Sequence, residues 1–179
     1  PEPMKAMRMT VAGRPMELQD IPIPDAAPGW VVLRVEAAGL CHSDLHILDG
    51  SLVHTMSTEE GELLATTAPI TLGHEIAGTI AELGEGVEGF AVGDRVAVGW
   101  FGGCCYRCDP CRKGIFIHCV NGKVPSWHYP GGYAESVTVP ANALARVPSE
   151  LTDVEAAPMG CAGVTTYNAL RHTRALPGD

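Results

Sequence analysis

Four cysteines, Cys105, Cys108, Cys111 and Cys119, stand in the pattern C-x2-C-x2-C-x7-C. Two-residue gaps let neighbouring thiolates turn toward one ion, and the longer gap lets a loop return, which is the spacing of a tetrahedral four-thiolate zinc site. Four protein ligands close the coordination sphere, so such a site stabilises a lobe, here 100–122, and does no chemistry of its own. Cys104 is the spare, because adjacent residues do not both face one ion. The competing reading is a cluster of buried or redox-active cysteines.

Three further residues could hold a second ion. They are Cys41 in Gly39-Leu40-Cys41-His42-Ser43-Asp44, His74 in Gly73-His74-Glu75, and Cys161 in Met159-Gly160-Cys161-Ala162-Gly163. Zinc with three protein ligands keeps an open fourth position, the condition for acting as a Lewis acid on a bound oxygen. Taken singly, each residue has an ordinary explanation: a core thiol, or a histidine satisfied by its neighbours. Their spacing alone does not connect them.

The elements that must position these residues are mostly strands. Val31, Leu33 and Val35 alternate with Val32, Arg34 and Glu36, a period near two that predicts a strand with one buried face, ended by Gly39. Similar runs occur at Ile76 to Leu83, Asp94 to Val98, Tyr133 to Val139 and Leu144 to Val147, separated by glycine turns. Short strands with Gly-rich corners suggest a small barrel or sandwich. After Pro148 the composition shifts: Ser149 to Ala157 reads as a helix capped by Ser149, and a second helix runs from near Cys161 to His172. The prediction is a mainly β fold with peripheral helices. Pro1, Glu2 and Pro3 precede Met4 and are set aside as a processing remnant. Leu48 to Thr71 carries no assignment, and connections of that length are usually functional or mobile.

The chain of 179 residues is 46% hydrophobic and 18% charged, enough for one buried core. Its 12 Lys plus Arg against 21 Asp plus Glu give a formal charge of −9, which repels nucleic acid and anionic membrane surfaces. No apolar run approaches a membrane span, and no secretory signal opens the chain, so the expected protein is soluble and cytoplasmic. Of seven cysteines, five fall between Cys104 and Cys119, which suits metal ligation better than secreted disulfides.

Cys41-His42-Ser43-Asp44-Leu45-His46, Gly73-His74-Glu75, the four-cysteine lobe and Gly160-Cys161-Ala162-Gly163-Val164-Thr165 occur in the order found in zinc-dependent alcohol dehydrogenases. The chain resembles that medium-chain dehydrogenase/reductase family from about Lys5 to its last residue. The resemblance implies a GroES-like, partly open barrel over 4–150, with the zinc lobe inside it. Residues 151–179 would be linker helices leading to a cofactor-binding Rossmann domain absent from this chain. It implies two zinc ions per chain: a catalytic one on Cys41, His74 and Cys161, an already established ligand set of catalytic zinc, and a structural one on the lobe. An alcohol on the catalytic zinc would lose its proton near neutral pH, and the alkoxide would give hydride to NAD or NADP.

By position in the family's motifs, Ser43 would hydrogen-bond the alcohol oxygen and pass its proton outward, and His46 would receive it at the surface. Asp44 would orient His74, and Glu75 would sit behind the zinc or transiently replace its water. His42 would lie near the cofactor pyrophosphate, Thr165 against the nicotinamide, and Trp100 in the wall of the substrate pocket. The substrate would be a small alcohol or aldehyde, and the complete enzyme a homo-oligomer. Two features depart from the family. No G-x-G-x-x-G stands in the strand-turn-helix setting of a Rossmann half, so we read the chain as the catalytic part of a longer enzyme. The 32 residues between Cys41 and His74 are also more than the family usually places there, and their acidic Glu59, Glu60 and Glu62 suggest a solvated face or a lid. Competing readings are a polyol dehydrogenase of the same superfamily, whose third zinc ligand is often a carboxylate, and a non-catalytic zinc-stabilised binding module.

Overall fold

The computed structural model describes residues 3–52 and 68–173. Two antiparallel sheets dominate it. Strands β1 (Pro3–Met9), β2 (Glu17–Pro22) and β4 (Ile70–Thr71) form the smaller sheet, ordered β2-β1-β4. The larger contains β3 (Trp30–Gly39), β5 (Glu75–Leu83), β6 (Arg95–Val98), β7 (Ser136–Pro140) and β8 (Ala145–Arg146), ordered β7-β3-β5-β6-β8. Neither sheet closes into a barrel. Helices α1 (His42–Asp49), α2 (Asp109–Arg112), α3 (Asp153–Ala156) and α4 (Ala162–His172) lie around them.

All five strands expected from periodicity are present, with β7 and β8 shorter than their apolar runs. Val32 is buried along with Val31 and Leu33, contrary to strict alternation. The reason is local: β3 is an interior strand, and its pairing with β5 slips between Val32 and Leu33. Pro3, set aside in the sequence reading, opens β1 opposite Pro22. The first helix after the strands is capped by Thr152 rather than Ser149. The Thr152 hydroxyl accepts from the Glu155 N–H, and the Glu155 carboxylate accepts from the Thr152 N–H, a reciprocal cap that Ser149 has no partner to form. Pro158 then breaks this helix into α3 and a 3-10 turn at Ala157–Gly160.

Val31, Leu33, Ile76, Ile80, Val96, Val98, Val137 and Val139 fill the core of the larger sheet. A second cluster, Met9, Ile47, Ile70, Leu72 and Trp127, packs α1 against the smaller sheet. Ile47 thus anchors the helix that Cys41 begins. Glu59, Glu60 and Glu62 lie outside the described residues. Among the described residues, no helix is long and apolar enough to cross a membrane.

Candidate metal centres and active site

Strand register brings the first two candidate ligands together. Gly39, the last residue of β3, pairs with Glu75, the first of β5. Cys41 and His74 therefore leave the sheet at the same edge. A side chain at Gly39 would collide with the Glu75 carboxylate, so the approach requires glycine there. Cys161 is delivered by a different contact. Gly99, just past β6, lies so close to Gly160 that a Cβ on Gly160 would sit 2.8 Å from the Gly99 Cα. Gly160→Ala is expected to push Cys161 away and lose zinc from this centre while the lobe keeps its own. Elemental analysis of the purified variant is expected to read one zinc against an expected two in the parent.

The ligand atoms of Cys41, His74, Glu75 and Cys161 all lie within 4.8 Å of one another. The Cys41 and Cys161 Sγ atoms are 3.9 Å apart. Two thiolates on a tetrahedral zinc, with Zn–S near ~2.3 Å, would stand about 3.8 Å apart. His74 is wholly buried, and its Nδ1 meets Asp44 Oδ1 at 3.0 Å. A carboxylate only accepts, so Nδ1 carries the proton and donates, leaving a lone pair on Nε2. That Nε2 is buried without a protein hydrogen-bond partner. An unpartnered imidazole nitrogen beside two thiols is a zinc donor set, and the residues present fit the ion.

The supporting shell is equally specific. Asp44 is 2% exposed and accepts four hydrogen bonds: His74 Nδ1 and the Gly73 N–H (3.2 Å) on Oδ1, the Cys41 N–H (3.2 Å) and the Tyr133 hydroxyl (3.1 Å) on Oδ2. Cys41 and Cys161 both occupy the N-cap position of a helix, α1 and α4 respectively. At Cys41 the amides and dipole of such an end favour thiolate. Burial acts to raise the Cys41 thiol, yet the Ser43 N–H and hydroxyl and the nearby His74 outweigh it and lower its pKa. At Cys161 burial, Cys41 and Glu75 act together and push the thiol up to about 12. Burial also opposes a charged His74, but Asp44 and Cys41 overcome it and raise its pKa. Glu75 is buried, and its Oε1 accepts the Ala162 N–H at 3.3 Å, tying the start of α4 to β5.

Trp100 stands edge-on to His74, with ring centroids 5.1 Å apart and planes at 86°. It also lines an apolar cleft of about 270 Å³ with Phe101, Phe116, Val124, Trp127 and His128. Ser43 is half-buried with its hydroxyl on the Cys41 thiol. The side chains of His42, His46 and Thr165 are not brought into contact with the cluster. The two histidine rings lie 4.6 Å apart on the exposed side of α1, and His46 Nδ1 is 2.9 Å from Ser51 Oγ. Thr165 is exposed one turn into α4. Sequence reasoning missed Tyr133, whose signal was Gly131-Gly132-Tyr133, read only as a turn before a strand.

In the lobe, the sulfurs of Cys105, Cys108, Cys111 and Cys119 also lie within 4.8 Å of one another. Cys119 Sγ is 3.6 Å from Cys105 Sγ and 3.8 Å from Cys108 Sγ, again the separation expected around zinc. The N–H groups of Cys105 and Asn121 each reach Cys119 Sγ at 3.3 Å. The Arg107 N–H, the Asn121 side chain and the Cys108 N–H lower the Cys105 thiol to about 5. Cys104 stands outside the four-sulfur group, its carbonyl accepting from Asn142 Nδ2 at 2.8 Å.

Two open sheets, with the Cys41, His74 and Cys161 side chains gathered at the edge shared by β3 and β5 and four cysteine sulfurs gathered in a lobe, define the N-terminal domain of a zinc-type medium-chain dehydrogenase. Residues 27–149 match the family model described as the alcohol dehydrogenase GroES-like domain. The chain belongs to the alcohol dehydrogenase family. It is 44% identical over 170 residues to the NAD-dependent alcohol dehydrogenase of Sulfurisphaera tokodaii, covering 94% of this chain and 47% of that one. Among solved structures, it resembles the alcohol dehydrogenase of Aeropyrum pernix (TM-score 0.81, 33% identity, 93% of this chain and 47% of that one). It also resembles the cobalt- and zinc-bound thermostable alcohol dehydrogenase of Pyrobaculum aerophilum (TM-score 0.83, 27% identity, 99% and 50%). The chain thus spans about half the length of the relatives it matches.

Proposed function

We propose that residues 4–150 form the catalytic domain of an NAD(P)-dependent alcohol dehydrogenase that interconverts a small alcohol with its aldehyde or ketone, and that 151–179 lead toward a cofactor-binding domain. The observation that carries this reading is the buried, unpartnered His74 Nε2 converging with the Cys41 and Cys161 sulfurs. Zinc held there would supply Lewis acidity that favours loss of the substrate hydroxyl proton. Asp44 holds the His74 ring in the tautomer that presents Nε2. Ser43, beside Cys41, would accept the substrate O–H proton and hand it toward His46 at the surface. Trp100 and the apolar cleft behind it hold the carbon skeleton and keep water from the reacting carbon. His42 and Thr165 face solvent, where a nicotinamide cofactor on a further domain would meet them. The Sulfurisphaera tokodaii relative, named as NAD-dependent, favours NAD over NADP. A homo-oligomer of the complete enzyme belongs to the same reading.

The chain is expected to bind two zinc ions and, alone, to reduce NAD+ with ethanol no faster than buffer. Joined to the cofactor-binding half of the Sulfurisphaera tokodaii relative, it is expected to gain alcohol-dependent NAD+ reduction. Ser43→Ala in that chimera should lower kcat by ~10²-fold or more, the scale of a lost proton-transfer group. A folded, zinc-loaded chimera that turns over no alcohol would contradict the proposal, as would alcohol oxidation by the chain alone.

A further inference from the structure

We infer that Tyr133 is a positioning residue that sets the metal affinity of the Cys41–His74–Cys161 centre by holding Asp44; this rests on reading that cluster as a zinc site. The Tyr133 hydroxyl lies 3.1 Å from Asp44 Oδ2 and 3.2 Å from the Gly39 carbonyl. Its single proton is shared between two acceptors, one on the carboxylate that orients His74 and one at the end of the strand that delivers Cys41. Each Asp44 oxygen then has two donors: His74 and the Gly73 amide on Oδ1, the Cys41 amide and Tyr133 on Oδ2. Without the hydroxyl, Oδ2 keeps one, and the carboxylate is freer to rotate and carry the His74 ring with it.

The rest of Tyr133 is built to put the hydroxyl there. Its N–H donates to the Leu72 carbonyl at 2.9 Å, and its carbonyl accepts the Met7 N–H at 2.7 Å, so its backbone is fixed from both sides. The ring lies across Gly73, whose φ is +95° and whose Cβ, if present, would fall 2.6 Å from a ring carbon. A residue at 73 with any side chain would displace Tyr133, and this contact gives Gly73 a reason beyond its backbone angle. Tyr133 thus touches both segments that bring in ligands, Gly39–Cys41 and Leu72–His74. A ring that only filled the core would make the same packing without using its oxygen, and Tyr133→Phe separates the two roles.

The test is zinc competition with a chromogenic chelator on the 179-residue chain, parent against Tyr133→Phe, with melting temperature and the d–d absorption of the cobalt-loaded forms recorded beside it. The parent should release two zincs in two steps. In Tyr133→Phe the step assigned to Cys41, His74 and Cys161 should weaken by ~10-fold, the lower end for a lost outer-shell partner. The cobalt band of that centre should move, while the four-thiolate lobe and the melting temperature stay put. Unchanged affinity at both steps would overturn the inference, as would equal weakening of both together with the melting temperature, since that is a general loss of stability. A parent that releases only one zinc would overturn the zinc reading itself, and the inference with it.

Discussion

Cys105→Ser should lower the melting temperature of the zinc-loaded chain by roughly 10 °C. A ligand held ~1,000-fold above its dissociation constant stabilises the folded state by about 4 kcal/mol. For a chain of this size each kcal/mol is worth ~2–4 °C. The lobe has few other supports. Ile115, Phe116, Ile117 and Val120 are 46%, 40%, 63% and 75% exposed, so the segment from Cys111 to Val120 buries little apolar surface of its own. Its order comes from the four sulfurs, the amides aimed at them and the short helix α2 that Cys108 caps. The two-sheet core does not touch these ligands and should survive. Circular dichroism melts of the zinc-loaded parent and variant, with bound zinc measured beside them, would check this: the variant should melt lower while still holding the zinc of the other centre.

Cys161→Ser should have the opposite signature. In the chimera carrying a cofactor-binding half, alcohol oxidation is expected to fall by ~10³-fold or more, because Lewis-acid stabilisation is worth several kcal/mol and each 1.36 kcal/mol is tenfold in rate. Stability should fall only by the linkage of the one lost ion. Cys161 is the N-cap of α4 but makes no side-chain capping bond, and serine is a better cap than cysteine. A variant that kept more than a tenth of the parent's turnover would show that this sulfur does not hold the catalytic ion.

The parts of the site legible in sequence were those whose chemistry is local. The C-x2-C-x2-C-x7-C run specifies a tetrahedral site by short-range geometry, and the structure brings its four sulfurs together and leaves Cys104 aside. Likewise, Val31 to Gly39 and Ile76 to Leu83 declared themselves as strands through a period of two. The Cys41–His74–Cys161 centre was not legible from spacing, because a pairing register, Gly39 against Glu75, and a backbone contact, Gly99 against Gly160, bring it together. Neither leaves a periodic trace. The resemblance supplied that connection, and the structure supplies its physical cause. Strands β1 and β2 escaped notice for another reason: apart from buried Met4, Ala6 and Met9, their side chains are largely exposed, so hydrophobic alternation is weak. Tyr133 was invisible because its role depends on one hydrogen bond to a residue 89 positions away.

Tightly bound zinc per chain, by elemental analysis after purification without chelator, tests the central claim of two independent metal centres most directly. The account predicts two zincs in the parent, one in Cys161→Ser and one in Cys105→Ser, each variant losing a different ion. One zinc in the parent, absent only from Cys105→Ser, would contradict it, since the buried nitrogen of His74 and the sulfurs of Cys41 and Cys161 would then hold no metal.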